Sequence, residues 1–333
     1  MRKLTIILLL AFLGNTSIYS CKKPKKSQPP QPPGWKEVNL NYNSPLTKVK
    51  ILGNDTFYIL SYLDIVNDFT KTVIFYSYDK GNTWQSARFP RPSEGGLRNI
   101  FPVTKIKMYG ATSGFYKSEN SLTNWKMLDS LQGAGLGGTV NDGFFFNEQS
   151  GIIIKPVTVL KTTDGGISFQ PKFTSPIAGY FRKITFPSNT IGYIAAGETH
   201  DNINVGFLSK TTNAGETWNV IKSDVGDITS VFFANIDSGY IFNSKRQMYK
   251  TNDGGISWQL VSSNCPVSPD LVYFLDINYG YMASGELLYK TKDGGLNWHK
   301  EFETGGGNIG DIGFTKDGVG VVVTNNGKLM VRK

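Results

Sequence analysis

Tyr249-Lys250-Thr251-Asn252-Asp253-Gly254-Gly255-Ile256-Ser257-Trp258 recurs one unit later as Tyr289-Lys290-Thr291-Lys292-Asp293-Gly294-Gly295-Leu296-Asn297-Trp298. The shared frame is Thr/Ser-x-Asp/Asn-x-Gly-x-Thr/Ser/Asn-Trp. Four further copies keep it: Ser77 to Trp84, Thr162 to Phe169, Thr211 to Trp218, and a worn copy from Ser118 to Trp125 with Leu122 in the glycine position. Self-similarity at a fixed period decides the fold class before any single segment does.

Each position has a mechanical role. The hydroxyl and the Asp or Asn side chain accept bonds from nearby loop amides, as in Asx and Ser/Thr turns. The glycine supplies a positive φ that a β-carbon resists. The aromatic anchors the turn against the apolar interior. The expected element is a hairpin loop between two strands. The chain has six Trp: Trp35, Trp84, Trp125, Trp218, Trp258 and Trp298; five end a box, and Phe169 ends the remaining one. From Trp84 onward the steps are 41, 44, 49, 40 and 40 residues, a period that suits a four-stranded propeller blade.

Seven units can be counted. The fifth predicts strands at Ile228 to Phe233, Gly239 to Phe242, Gln247 to Thr251 and from Trp258; the sixth repeats them at Leu271, Gly280, Leu287 and Trp298. The seventh has three strands, around Ile312 to Phe314, Gly318 to Thr324 and Lys328 to Lys333, and stops where a box would begin. Trp35 to Leu40 opens with the one Trp that lacks a box, and so predicts the missing fourth strand. The expected fold is all-β, a single seven-bladed β-propeller of four-stranded blades over residues 35–333, its last blade closed by the N-terminal strand. That closure hides edges that would otherwise invite aggregation.

The N-terminus reads as an export signal over residues 1–20. Arg2 and Lys3 precede an apolar run from Ile6 to Leu13, too short to span a bilayer. Ser20-Cys21 then resembles a lipobox, predicting lipidation of Cys21. Residues 21–34 hold Lys22, Lys23, Lys25 and Lys26 and a Pro-rich stretch, a semi-rigid spacer. The formal net charge is +9. The signal removes two positive charges and the spacer lysines carry four, which leaves +3 for the rest. The basic pI therefore belongs mostly to the tether, and the domain has no nucleic-acid footprint. With only Cys21 and Cys265, no disulfide framework or Cys-based zinc site can form. Cys265 reads as an unpaired loop or core thiol. His200 and His299, the only histidines, fall in different units, so no metal and no cofactor is expected.

The repeat is the Asp-box (BNR-type) repeat, and the chain resembles Asp-box propellers as a class: sialidases, xyloglucanases, sortilin-type receptors and the photosystem II assembly-factor family. The Lys-Thr-x-Asp-Gly-Gly-x-x-Trp form of the box is most similar to the last. That resemblance implies a non-catalytic ring that holds a partner polypeptide. It also implies that Asp79, Trp84, Trp125, Asp164, Phe169, Asn213, Trp218, Asp253, Trp258, Asp293 and Trp298 are structural. Ala87-Arg88-Phe89-Pro90 follows the first box, whereas a sialidase has its Arg-Ile-Pro motif before it. Xyloglucanases use two propellers in tandem, and one is found here.

The expected function is an exported, membrane-tethered lipoprotein of a bacterial cell envelope, facing periplasm or exterior. As a monomer it would act as a polypeptide- or glycan-binding assembly scaffold; the alternative is a glycoside hydrolase, sialidase-like or xyloglucanase-like. No catalytic residue is singled out. Insertions at Leu63 to Thr72 and Gly197 to Gly206 lie on the face opposite the boxes, where the inter-blade connections also collect. Loops on a rigid scaffold usually carry function. The expected ligand-binding residues on that face are Arg98, Asn141, Arg182, His200, Asp201, Asp227, Asp270 and Asp311.

Overall fold

Each unit of the repeat becomes one four-stranded antiparallel sheet. The computed structural model describes residues 34–61, 64–66, 69–90, 96–112, 114–119, 122–129, 139–177, 179–200, 203–267 and 271–333. Seven such sheets lie among them. From the inner strand outward, blade one is Leu46–Leu52, Thr56–Ser61, Val73–Ser77 and Gln85–Arg88; blade two is Asn99–Pro102, Met108–Ala111, Phe115–Ser118 and Trp125–Asp129. Blade three is Asp142–Phe145, Gly151–Ile154, Thr158–Thr162 and Gln170–Thr174; blade four is Tyr180–Thr185, Gly192–His200, Ile203–Thr211 and Asn219–Lys222. Blade five is Ile228–Phe233, Gly239–Asn243, Met248–Thr251 and Gln259–Ser262; blade six is Leu271–Phe274, Gly280–Ser284, Leu287–Thr291 and His299–Glu303.

Blade seven has Ile309–Phe314, Gly320–Thr324 and Leu329–Arg332 from the C-terminus, and Trp35–Val38 as its outer strand. Trp35 pairs with Arg332 and Val38 with Leu329. The closing strand is thus two residues shorter than the sequence suggests. Trp35 is 2% exposed. Its ring meets Phe302 and Phe314 edge-on, and its indole N–H donates to Glu301 at 3.2 Å. It therefore fastens the outer edge of blade seven to blade six.

The boxes turn as their chemistry demands. In blade five the Thr251 hydroxyl donates to Asp253 Oδ1 (2.8 Å) and accepts from the Gly255 N–H (2.9 Å). Asp253 Oδ1 accepts from the Ser257 N–H at 2.9 Å, and the Trp258 indole N–H returns to the Gly255 carbonyl at 3.2 Å. Blades one, three, four and six repeat the hydroxyl and carboxylate or amide bonds. In the worn copy Leu122 itself takes φ of +67°, is fully buried, and accepts the Trp125 indole N–H at 3.0 Å. The turn survives the loss of its glycine because the aliphatic side chain is buried with Trp125.

Blades are joined by a second recurring device. The first-strand aromatic of a blade lies over the glycine that opens its own second strand. A β-carbon on Gly239 would strike Phe233, and one on Gly280 would strike Phe274. The other side of that ring receives a tyrosine from the preceding blade: Tyr193 on Phe233 (centroids 3.6 Å), Tyr240 on Phe274 (4.3 Å) and Tyr281 on Phe314 (4.3 Å). This explains why the second strands so often begin Gly-Tyr. The two insertions also take shape. The first carries a small hairpin, Asp64–Val66 against Phe69–Lys71, and the second is an extension of the blade-four hairpin as far as the His200 and Ile203 pair.

Two outcomes test this scheme. Removing residues 1–33 should leave the melting temperature unchanged. Removing residues 1–40 should lower it and cause aggregation, since loss of Trp35 alone is worth about 3–5 kcal/mol. Equal melting temperatures by calorimetry would refute the closure. The second outcome concerns acid. Hydrogen bonds from Thr83 and Ser257 hold Asp79 and Asp253 at about 2, and at Asp164 bonds from Ser168 outweigh burial to reach the same value, against an ordinary 3.8. Depressed carboxyls stabilise the fold above their unfolded value and lose that contribution as pH falls through the folded one. Urea midpoints should therefore be flat near neutrality and drop as pH falls from about 4 to about 2. The triple variant D79N/D164N/D253N, which copies the amide at Asn213, should flatten that drop. An unchanged acid profile in the triple variant would remove the boxes as its cause.

Candidate functional site

The inner strands of all seven blades surround a central channel. Its cavity of about 480 Å³ is lined by Lys48, Lys50, Asn99, Asn141, Asp142, Arg182, Lys183 and Asp311 among other residues. Three of the eight expected residues, Asn141, Arg182 and Asp311, reach it. Arg98 is exposed just ahead of the blade-two inner strand and outside the channel lining. Asp201 and Asp270 lie outside the described residues, as does Cys21 with the signal and spacer. His200 ends the extended hairpin strand opposite Ile203.

Asp227 is buried (3% exposed) and is a clamp rather than a contact surface. Its carboxylate takes Arg182 in a bidentate pair, Nε to Oδ1 and Nη2 to Oδ2, both at 2.9 Å. Gly197 makes this possible, because a β-carbon there would collide with the Asp227 carboxylate. The pair joins blade four to blade five. Asn141 works similarly, donating its amide N–H to the Phe181 carbonyl at 2.7 Å across the junction of blades three and four. Asp311 accepts from the Val49 N–H and from the Ile312 N–H, both at 2.9 Å, tying blade seven to blade one.

Sequence reasoning missed the channel's charge centre. Asp142 is buried, and its two oxygens face Lys50 at 3.2 Å and Lys183 at 3.7 Å. Burial works to raise the Asp142 carboxyl, but Lys50 and Lys183 outweigh it and hold it at about 2. Lys50 is lowered by burial against the pull of Asp142, while the more exposed Lys183 is raised chiefly by Asp142. A signal existed in Lys48-Val49-Lys50, where two lysines alternate with a buried valine on a strand meant for the centre of the ring. As chemistry, Asp142 is ionised and cation-bound at neutral pH. A general acid needs a pKa near the working pH, and Asp311 is already engaged by two backbone N–H groups.

Beside the channel mouth, on the insertion face, an open groove of about 610 Å³ is lined by Asn141, Pro156, Tyr180, Phe181 and Arg182. Tyr180 is 51% exposed there, with Val157 and Ile177 also exposed. No group of three or more His, Cys, Asp or Glu side chains suited to a metal occurs among the described residues. Cys265 is a free, fully buried thiol, raised by that burial. No helix among the described residues is long and apolar enough to cross a membrane.

Comparisons with known proteins agree on the architecture. The family model described as photosynthesis system II assembly factor YCF48 matches residues 182–332. Among solved structures, YCF48 from Cyanidioschyzon merolae superposes with a TM-score of 0.67 at 15% identity, over 90% of this chain and 98% of that one. A structure titled YCF48 bound to D1 peptide gives 0.66 at 15% identity, over 90% and 96%. The GH74 xyloglucanase from Xanthomonas campestris gives 0.56 at 15% identity, over 80% of this chain and 49% of that enzyme. No curated protein sequence matches the chain. The protein is an Asp-box seven-bladed propeller whose residues 182–332 are similar to the photosynthesis system II assembly factor YCF48 family.

Proposed function

We propose that this protein is an exported bacterial envelope scaffold, anchored through lipidated Cys21, that holds a polypeptide segment on the insertion face of its ring. One observation carries the binding reading: Tyr180 is exposed beside Arg182 and Asn141 in an open groove at the channel mouth, and Val157 and Ile177, close to its Pro156 and Tyr180 in the chain, are exposed as well. Exposed apolar side chains rimmed by polar groups mark interaction sites. An extended peptide needs both apolar contact and hydrogen bonding for its backbone. A related fold in the YCF48 structures is bound to D1 peptide in one of them, which supports a polypeptide over a sugar. The anchor reading rests on Arg2-Lys3, the apolar run and Ser20-Cys21. More than one acyl chain makes such anchoring stable.

Tyr180 is the residue to test, because Arg182→Ala would leave the Asp227 carboxylate buried and unpaired and so confound binding with stability. From a displayed library of random peptides, binders selected on the wild-type chain should lose affinity about tenfold in Tyr180→Ala, the equivalent of ~1.4 kcal/mol. Ile256→Ala, on the far face, should leave their affinity unchanged. Selection of no peptide, or equal binding by Tyr180→Ala, would overturn the polypeptide reading, and retention on an oligosaccharide array would favour a glycan instead. Cys21→Ala should move the full-length protein from the membrane to the soluble fraction. A wild-type N-terminal peptide without acyl mass would refute the anchor.

A further inference from the structure

The residue after the box glycine is polar in some blades: it is Asn82 in blade one, Glu216 in blade four and, after Leu122 in the glycine position, Thr123 in blade two. In blades three, five and six it is Ile167, Ile256 and Leu296, which are 66%, 86% and 66% exposed. The box therefore does not require an aliphatic tip, yet three blades present one to solvent. On the same face, the turns between first and second strands add Ile106, Ile236, Ile277 and Tyr279, all exposed. In blades five and six each box turn bonds its neighbour, Gly254 N–H to the Asp237 carbonyl and Gly294 N–H to the Asn278 carbonyl. Ile236, Ile256, Ile277, Tyr279 and Leu296 are thus gathered onto two adjacent blades.

Where the chain enters the ring says what this face meets. The outer strand of a blade starts at the box face, and Trp35 begins the outer strand of blade seven at the level of Arg332. Lys333, next to it, bonds Asn82 in the box of blade one. Gly34, where the described residues begin, therefore lies on the box face. From Cys21 to Gly34 is fourteen residues, a reach of about 40 Å even when fully extended as polyproline II. A lipid at Cys21 would put the bilayer within that reach of Gly34 and so of the box face.

We infer that the box face docks on a lipid bilayer, with Ile167, Ile256 and Leu296 entering the interface between headgroups and acyl chains. This rests on the anchor reading of Cys21. The contact is apolar rather than electrostatic. Four cations on this face are already engaged, Lys80 with Asp317, Lys105 with Asp55, Lys107 with Glu148 and Lys161 with Glu216, while Lys292 and Lys316 stay exposed. The insertion face is then held away from the membrane, open to the partner proposed above.

The test uses residues 22–333, which hold every described strand and lack the anchor, with an environment-sensitive dye on Leu296→Cys. Cys265 is fully buried and does not compete for label. On vesicles of phosphatidylethanolamine and phosphatidylglycerol the dye should shift to the blue and be quenched by spin-labelled acyl chains, at low and high salt alike. A dye on Val157→Cys, equally apolar surroundings on the opposite face, should stay aqueous. Adding I167E and I256E should lower the bound fraction about tenfold, a change of ~1.4 kcal/mol in partition. A dye at 296 that stays aqueous overturns the inference, as does an equal shift at 157 or a shift that high salt abolishes. A blue shift without vesicles that grows with protein concentration also overturns it and makes the face a contact between copies of the chain. Flotation of the full-length protein and the mass of its N-terminal peptide report the anchor separately. Docking can therefore fail with the anchor intact, and the anchor can fail with docking intact.

Discussion

The ring depends on an aromatic ring having two occupied sides. Phe233 covers Gly239 of its own blade with one face and carries Tyr193 of the preceding blade on the other. The same arrangement recurs at Phe274 and Phe314. An aromatic pair of this kind adds about 0.5–1.5 kcal/mol beyond the area it buries, but its larger effect is geometric. The glycine lets the phenylalanine lie flat, which fixes the height at which the neighbouring blade can stack. The tyrosine then spends its hydroxyl on the next blade's turns: Tyr193 donates to the Gly254 carbonyl at 2.9 Å, and Tyr109 to the Glu148 carbonyl at 2.7 Å. Stacking and hydrogen bonding set one register from blade to blade, and the lysines over these rings, such as Lys210 on Tyr193, close the outer side.

The channel is held by a different kind of contact. Near the insertion face, neighbouring blades meet through polar side chains: Asn141 to Phe181, Arg182 to Asp227, and Asp311 to Val49. Buried ion pairs contribute little net stability but are costly to break. The Asp142 cluster fits that description, since one buried carboxylate serves two ammonium groups from different blades. Apolar stacking at the box side and polar clamping at the mouth divide the work between the two ends of each junction. The polar end keeps hydrogen-bonding groups at the surface on which a ligand would arrive.

The framework was legible because its signals are local. Six boxes, the Trp spacing and the unboxed Trp35 predict seven blades and the closing strand, and the strands of blades five and six fall within a residue or two of their expected places. The closing strand ends at Val38 rather than Leu40, since only four residues pair with Leu329–Arg332. The channel was less legible. Asn141, Arg182 and Asp311 were expected from their positions at strand entrances, but position does not reveal a partner. Asp227 looked like a rim residue and is a buried clamp for Arg182, a pairing set by two blades whose contact no local motif encodes. Lys50, Asp142 and Lys183 were missed for the same reason. Their meaning arises only when three inner strands far apart in the chain meet.

Ring closure has a consequence for orientation that extends beyond stability. A blade completed by an N-terminal strand could in principle take any of its four strands from that end. Here it is the outer one, as Trp35 shows by occupying the place that box tryptophans hold in other blades and by packing on Phe302 of blade six. Outer strands descend from the box face, so Trp35 begins its strand on that face. The two faces differ in kind. One repeats short turns capped in three blades by exposed aliphatic tips, and the other gathers the insertions, the groove at Tyr180 and the charged mouth.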